Sequence, residues 1–140
     1  MAKYKAKRVV VQGETFDSKV EGDYYQRLLD LQWQGDVTMI RLHPRYILQP
    51  SFQSNGEHIR AVYYEADFEV TYANGIVHVV DVKGLATETA KLKRKMFLYA
   101  NPSVCLDWIV RYGGVWVDYF DNEKRKRDAK KAKKALAIWK

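Results

Sequence analysis

An alternation of apolar and mostly polar residues runs from Val62 to Tyr72 and is the strongest pattern in the chain. Its apolar members are Val62, Tyr64, Ala66, Phe68, Val70 and Tyr72, and the residues between them are Tyr63, Glu65, Asp67, Glu69 and Thr71. Successive side chains of a strand point to opposite faces, so this spacing predicts a half-buried β-strand. Asn74-Gly75 then indicates a turn, and Ile76 to Lys83 predicts a second strand that Gly84 ends.

The length of the turn decides which residues face each other across this hairpin. A two-residue loop at Asn74-Gly75 would pair Asp67 with Val82 and mix apolar with charged groups on both faces. A three-residue loop, with Ala73 added and Gly75 left-handed, leaves one face entirely apolar. The pairs that it creates are Asp67–Asp81, Glu65–Lys83, Phe68–Val80 and Tyr72–Ile76. Because the buried pattern sets the register, we predict the three-residue loop.

Helical spacing of apolar residues and turn signals predict the other elements. They are a helix from Ser18 to about Leu31 (buried stripe Val20, Tyr24, Leu28, Leu31), a strand from Tyr46 to Phe52 where Pro44 and Pro50 indicate a sheet edge or bends, a helix from Thr87 to about Tyr99 (stripe Leu92, Met96, Tyr99), strands Val104–Val110 and Val115–Phe120, and a helix from Asp121. This order predicts an α/β layer with helices packed on a mixed sheet. We expect one domain over residues 1–120 and a basic tail or helix over 121–140.

The charge is unevenly distributed along the 140 residues. Residues 1–8 hold four Lys/Arg and no acid, a net of +4, and residues 121–140 hold nine Lys/Arg against three acids, a net of +6. The remaining 11 basic and 14 acidic residues give residues 9–120 a net of −3. Basic ends on an acidic body are typical of a protein that binds a polyanion such as DNA, although Lys-rich tails also serve solubility alone. The candidate DNA contacts at the ends are Lys5, Lys7, Arg8, Lys124, Arg125, Lys126, Arg127, Lys130 and Lys131.

A cytoplasmic location without membrane association is expected. No apolar run approaches the roughly 20 residues that span a bilayer, and the basic N-terminus is not followed by an apolar signal segment. The single cysteine, Cys105, fits a reducing compartment and is expected to be a small core residue. His43, His58 and His78 lack metal-ligand spacing and are interpreted as structural.

Asp67, Asp81 and Lys83 form the candidate reactive group. The predicted register places the two carboxylates side by side, and like charges opposed across a hairpin are destabilising. A divalent cation would remove that cost, and oxygen ligands suit Mg²⁺. A lysine beside the ion stabilises charge on a phosphate, an arrangement suited to phosphodiester hydrolysis. The alternative is an exposed, charged strand face with no chemistry.

Glu21 is a third candidate carboxylate, at the border of the apolar stripe of the first helix. Ser18-Lys19-Val20-Glu21 also fits a capping box, in which the glutamate closes the start of the helix. Spacing alone favours the cap.

Asp67 followed by Asp81-Val82-Lys83 resembles the PD-(D/E)XK signature of the restriction-endonuclease-like superfamily, with Ala66 in place of proline. The predicted element order is similar to the αβββαβ core of that superfamily, a mixed central sheet flanked by helices, whose first helix often carries an acidic residue. More narrowly, the chain resembles a family of small phage-encoded proteins of this superfamily, formerly catalogued as a domain of unknown function. The similar segments are 3–7, 16–21, 48–50, 64–68 and 81–84, with Thr87 and Leu92-Lys93.

The resemblance implies a Mg²⁺-dependent DNA endonuclease in which Mn²⁺ can substitute. Asp67, Asp81 and the Val82 carbonyl would hold the metal. Glu21 would assist directly or through a water molecule, which makes it a metal-site residue rather than a cap. Lys83 would position the nucleophile, and Lys93 on the second helix would approach a phosphate.

Branched DNA, such as a Holliday junction in phage replication or recombination, is the substrate that the resemblance favours. Junction resolution requires two cuts and therefore implies a homodimer in the host cytoplasm. One alternative is a nuclease subunit that nicks or trims DNA within a phage replication complex. Another is a non-catalytic DNA-binding module that acts through its basic ends.

Overall fold

A computed structural model describes residues 7–139 of the chain. Its elements, in chain order, are β1 (Val9–Val11), β2 (Glu14–Phe16), α1 (Lys19–Trp33), β3 (Val37–Leu42), β4 (Arg45–Gln49), β5 (Phe52–Ser54), β6 (Glu57–Ile59), β7 (Val62–Glu65), β8 (Phe68–Tyr72), β9 (Val77–Val82), α2 (Glu88–Ala100), β10 (Cys105–Tyr112), β11 (Val115–Asp118) and α3 (Tyr119–Ile138).

A five-stranded sheet in the order β11-β10-β9-β8-β3 forms the centre of the fold. β9 and β10 are parallel because α2 crosses over between them, while the other neighbours pair antiparallel. α1 covers one face of the sheet, where Tyr24 and Leu28 pack against Phe68 and Val80. α2 and the first turn of α3 lie over other parts of the fold's core, around Phe97 and Trp108 respectively. The predicted mixed sheet with flanking helices is therefore confirmed.

The β8–β9 hairpin has the predicted three-residue loop. Phe68 pairs with Val80, and Tyr72 N–H donates to the Ile76 carbonyl across the loop at 3.0 Å. Gly75 has a φ of +84°, in the left-handed region that favours glycine. The buried apolar face thus determined the register of this hairpin.

The predicted strand over 62–72 is interrupted, and the expected pairing of Glu65 with Lys83 is wrong. β7 pairs with β4 in a separate two-stranded sheet, where Glu65 lies opposite Arg45 and forms an ion pair with it at 2.9 Å. Ala66 N–H donates to the Pro44 carbonyl, whereas Asp67 already lies beside β9. Side-chain alternation continues through this change of partner, so the sequence pattern does not reveal it.

Residues 45–65 form a β-arm outside the central sheet, a feature that the hydrophobic pattern did not predict. The single strand expected over 46–52 is divided at Pro50 into β4 and β5, in line with the predicted bend. β5 and β6 pair with each other around a turn at Asn55-Gly56. Two further elements were not predicted: β3, an edge strand of the central sheet, and the β1–β2 hairpin.

The stripe predicted for the second helix is wrong. Leu92 and Tyr99 are 58% and 92% exposed, whereas Phe97 is fully buried and Arg94 packs over the rings of Trp108 and Phe120. The predicted stripe lies on the wrong face of the helix because it was defined by apolar residues alone. Arg94 packs through its guanidinium plane and is therefore part of the buried face. In α1, Tyr24 and Leu28 are buried as predicted, but Val20 is exposed.

The C-terminal segment is helical as predicted, but its boundary differs. β11 ends at Asp118, which caps α3, so a division at residue 120 falls inside the helix. Tyr119 and Asn122 are buried, and the rest of α3 is largely exposed. Cys105, expected in the core, is exposed at the start of β10. Within residues 7–139, none of the helices is long and apolar enough to cross a membrane.

The loop geometry predicts that Gly75→Ala destabilises the protein by about 1–2 kcal/mol, because a Cβ atom is unfavourable in left-handed backbone. Gly84→Ala is the matched control, since Gly84 lies outside that region and its added Cβ would meet open space. The control is expected to change stability by less than about 0.5 kcal/mol. Urea unfolding followed by circular dichroism measures both, and equal stability of the two variants would contradict the assigned loop.

Candidate functional site

Asp67 and Asp81 are joined by hydrogen bonds at the ends of β8 and β9. Asp67 N–H donates to Asp81 Oδ1 at 3.1 Å and to the Val80 carbonyl at 3.2 Å. Val82 N–H in turn donates to Asp67 Oδ2 at 2.8 Å. The Asp81 carboxylate therefore accepts a hydrogen bond from the backbone of Asp67, and the Asp67 carboxylate accepts one from the residue after Asp81. The two predicted acids lie together, as the register requires.

Asp81 is a buried carboxylate, 4% exposed. Tyr64 OH donates to Asp81 Oδ2, and Trp108 Nε1–H donates to Tyr64 OH at 2.9 Å. Trp108 reaches this position because it is the β10 neighbour of Asp81 in the parallel pair. Burial beside the Asp81 charge raises the pKa of Tyr64, which keeps the phenol protonated as a donor.

Lys83 lies on the same side of β9 as Asp81, as its spacing of two residues requires. Its Nζ is 3.9 Å from Asp81 Oδ2 and 4.5 Å from the centre of the Trp108 ring. A cleft of about 550 Å³ opens beside it, lined by Lys83, Lys93, Ala90 and residues 61–65. Both lysines that were predicted to act on a phosphate thus share one cleft.

The Glu21 carboxyl interacts electrostatically with both aspartates, since, in addition to burial, its charge raises the pKa of Asp67 and the charge of Asp81 raises the pKa of Glu21. Ser18 Oγ caps α1 by accepting a hydrogen bond from Glu21 N–H at 3.2 Å, so this contact uses the backbone of Glu21. Burial raises the pKa of the Glu21 carboxyl, with further contributions from the negative charges of Asp17 and Asp81. A residue at this position can therefore serve the helix cap through its backbone and the site through its side chain.

Burial of the two aspartates raises the pKa of both carboxyl groups. Burial, then the charges of Glu21 and Asp81, raise the pKa of Asp67 to about 7, despite the opposing effects of the Val82 N–H bond and Lys83. Burial also raises the pKa of Asp81, although the Tyr64 bond and Lys83 oppose it. Burial is thus the main cause of both raised pKa values, and like charge adds to it at Asp67.

The donor chemistry of the site fits Mg²⁺ or Mn²⁺. Its candidate ligands are all oxygens, and hard divalent cations prefer such ligands. Val82 N–H points toward Asp67, and because both polar groups of a strand residue point to one side, its carbonyl faces Asp67 as well. In the described residues 7–139, the side chains do not form a ready-made group of three His, Cys, Asp or Glu ligands. The fit rests on donor type and on the placement of two carboxylates side by side.

The predicted DNA contacts occupy separate surfaces. Lys93 lies at the cleft, Lys7 is exposed, Arg8 is 3.7 Å from Asp17, and Lys5 lies outside the described residues. On α3, Arg125 packs over the Tyr112 ring and bonds Asn122, while Lys126 pairs with Glu123. The exposed cations of this helix include Lys124, Arg127, Lys130 and Lys131. Of the predicted contacts between residues 7 and 139, only Lys93 lines the cleft beside Lys83.

The side chains of all three histidines contact neighbouring residues of the fold. His78 Nδ1 is 2.6 Å from Asp107 Oδ2, and its ring contacts Tyr72 edge-on. His58 contacts Gln53 across the β5–β6 pair at 3.2 Å, and the centre of the His43 ring lies 6.3 Å from that of the Phe16 ring. These side chains contact neighbouring elements of the fold.

Sequence reasoning missed Tyr64 and Trp108 as site residues. Tyr64 occupies an apolar position of the alternation, and Trp108 lies in a predicted strand, so both fit a simple core assignment. The signal that could have found them is chemical, because a buried tyrosine or tryptophan requires a partner for its polar atom. In this protein those hydrogen bonds lead to Asp81.

Comparisons with known proteins identify a family without an assigned activity. A family model described as "Protein of unknown function (DUF1064)" matches residues 1–114, which include all of the candidate site. Searches of curated proteins and of solved structures returned no match.

The raised pKa of Asp67 predicts how the stability of the metal-free protein depends on pH. Its stabilising contribution is fully present well below pH 3.8, the ordinary pKa of the group, where Asp67 is protonated in both the folded and the unfolded chain, and is lost as pH rises through about 7. Asp67→Asn removes this loss, so its melting temperature should exceed that of wild type increasingly from pH 4 to 7. Each kcal/mol corresponds to roughly 4 °C for a domain of this size.

Thermal unfolding in EDTA across this pH range measures the difference. Asp128→Asn, at an exposed position on α3, is the control and should follow wild type at every pH. A constant difference between Asp67→Asn and wild type from pH 4 to 8 would contradict the buried charge.

Proposed function

The chain belongs to this DUF1064 family, whose description assigns no activity, and we propose from its own site that it is a Mg²⁺-dependent DNA endonuclease. The observation that carries the proposal is the meeting of Asp67 and Asp81 at the ends of adjacent strands, with Lys83 beside them. Burying like charges together is costly unless a cation compensates them. The same arrangement would serve no purpose on a solvated strand face.

The fold supports this assignment to the restriction-endonuclease-like superfamily. Omitting the arm and the N-terminal hairpin, the chain runs α1, β3, β8, β9, α2, β10, in line with the αβββαβ order. The proposed strands of that core are β3, β8 and β9, and not the 46–52 strand used in the sequence interpretation. Asp67 and Asp81 then fall at the ends of the second and third strands.

Asp67, Asp81 and the Val82 carbonyl would hold the cation, with Glu21 contributing directly or through water. The chemistry that Mg²⁺ supplies when bound is activation of water and neutralisation of phosphate charge. Lys83 would donate a hydrogen bond to the attacking water or to the phosphate, where it stabilises developing negative charge. Lys93, across the cleft, would bind a phosphate of the same strand.

Branched DNA is the proposed substrate, with a homodimer supplying the two cuts that junction resolution requires. The exposed cations of α3 would bind phosphates outside the cleft, in a manner independent of sequence. Recognition of DNA shape by a chain of this size requires no additional sequence-reading domain. We also propose that the protein is of phage origin and acts in DNA replication or recombination.

Cleavage of synthetic junctions and matched duplexes with Mg²⁺, Mn²⁺ or EDTA tests the proposed activity. Asp67→Asn and Asp81→Asn should lose metal binding and cleavage together, with DNA binding equal or tighter because a negative charge is removed. Lys83→Ala should retain metal binding while cleavage slows by about 10²-fold or more. Glu69→Gln is the control, since its carboxylate bonds Arg41 and Tyr46 and it should cleave normally.

The outcomes separate the functional classes. Preference for junctions over duplexes supports resolution, whereas nicking of duplexes supports a trimming nuclease. If Asp67→Asn and Asp81→Asn bind and cleave DNA as wild type does, the carboxylates are not catalytic. DNA binding without metal-dependent cleavage by wild type would favour the non-catalytic module.

The exposed cations of α3 should determine the salt dependence of DNA binding. Replacing Lys124, Arg127, Lys130 and Lys131 by Gln should weaken binding and reduce the log–log salt slope by about 0.9 for each phosphate that is no longer neutralised. Exchanging lysine and arginine at the same four positions preserves the charge and is the matched control. Fluorescence anisotropy over a salt series measures the slope, and an unchanged slope in the Gln variant would make α3 a solubility element.

A further inference from the structure

We propose that Tyr64 and Trp108 are positioning residues that fix the Asp81 carboxylate and the Lys83 ammonium in one arrangement. This inference rests on the proposed nuclease function and assigns the machinery behind its two charged groups. Neither aromatic residue is placed against substrate. Each acts through the group that it contacts.

The first contact runs through two hydrogen bonds. Trp108 Nε1–H donates to Tyr64 OH, whose own proton is donated to Asp81 Oδ2. An indole is a donor only, so this bond directs the hydroxyl proton of Tyr64 away from Trp108 and toward the carboxylate. Since Tyr64 and Trp108 are 3% and 1% exposed, water does not readily replace either partner.

The second contact fixes the lysine. Lys83 Nζ lies over the Trp108 ring at 4.5 Å from its centre, within the range of a cation–π interaction. The same indole therefore contacts Lys83 through its face and reaches Asp81 through its edge. A change in the orientation of this ring would move both charged groups of the site.

Packing against neighbouring aromatic rings immobilises the indole. The Phe120 ring stacks on Trp108 with an interplanar angle of 10° and a centroid distance of 5.6 Å, and Tyr119 meets it edge-on at 5.7 Å. Arg94 lies 4.6 Å from the Phe120 ring centre, against the same cluster. The first turn of α3 thereby supports the site, although the exposed cations of that helix lie farther along the chain.

Outer partners of metal-binding carboxylates orient the ligand, and their loss weakens metal affinity by about 10–100-fold. Tyr64→Phe keeps the buried ring and removes the hydroxyl that donates to Asp81 and accepts from Trp108. Trp108→Phe keeps an aromatic ring but removes the donor to Tyr64 and reduces the surface beneath Lys83. We therefore expect weaker metal binding in both variants and an additional fall in kcat in Trp108→Phe.

Tyr46→Phe is the matched control. Tyr46 lies on β4, its ring contacts Phe97 as the Tyr64 ring does, and its hydroxyl donates to Glu69 at 2.6 Å. Removing this hydroxyl deletes one tyrosine–carboxylate hydrogen bond in the same part of the core, whereas Tyr64→Phe also removes the acceptor of the Trp108 N–H. If the loss of a tyrosine–carboxylate bond acts only through general destabilisation, Mn²⁺ binding should weaken in both variants.

Mn²⁺ binding to the full chain without DNA, measured by calorimetry, is the deciding readout, accompanied by the Mg²⁺ concentration for half-maximal cleavage. Tyr64→Phe should raise the Mn²⁺ Kd and the Mg²⁺ half-saturation by about 10–100-fold, and Tyr46→Phe should match wild type in both. Circular dichroism verifies folding, and Trp108→Phe decides the question if Tyr64→Phe does not fold. Its expected result is a raised Mn²⁺ Kd with a lowered kcat.

The two proposals fail in different ways. If wild type binds Mn²⁺ and cleaves DNA, but Tyr64→Phe and Trp108→Phe retain its Mn²⁺ Kd and Mg²⁺ half-saturation, the positioning role is overturned and the nuclease function stands. Equal weakening in Tyr64→Phe and Tyr46→Phe also overturns it, since the effect is then structural. A wild-type chain that neither binds Mn²⁺ nor cleaves DNA overturns both.

Discussion

Two hydrogen bonds join the ends of β8 and β9, one from Asp67 N–H to Asp81 and one from Val82 N–H to Asp67. They continue the register of the hairpin beyond its last ladder pair, Phe68 with Val80. Side-chain carboxylates thus add to the backbone bond from Asp67 N–H to the Val80 carbonyl, where the strands begin to separate. These bonds hold the half-buried Asp67 and the buried Asp81 together, and the arrangement of Lys83, Tyr64 and Trp108 follows from the need to accommodate them.

The change of sheet at Ala66 gives the site its open side. Up to Glu65 the chain belongs to the arm, and from Phe68 it belongs to the central sheet. Tyr64 therefore approaches Asp81 from the arm, while Asp67 approaches it from the neighbouring strand. The cleft lies where these two parts of the chain meet α2, so the break in the strand provides both the donor to Asp81 and access to Lys83.

The sequence predicted the hairpin, the association of Asp67 with Asp81 and the mixed sheet, because burial of an apolar face determines register. It could not predict that β7 leaves the sheet, since alternation describes the faces of a strand and not its partners. The exposed Leu92 and the packed Arg94 show a similar limit, because apolar content alone does not determine which helix face is buried. The sequence could not assign Trp108 to the site, because its position beside Asp81 results from the long-range pairing of β10 with β9, which local periodicity does not encode.

The two ends of helix α3 differ in local stability. Its first residues, Tyr119 and Asn122, are buried against the body, whereas the segment beyond Glu123 is exposed. Backbone amides in the first turns can exchange with solvent only when this part of the core opens, while those near Ile138 exchange through fraying of the helix end. The amide protection of α3 therefore declines along its length, and the segment carrying most of the positive charge is the part that reorganises at least cost when it meets a polyanion.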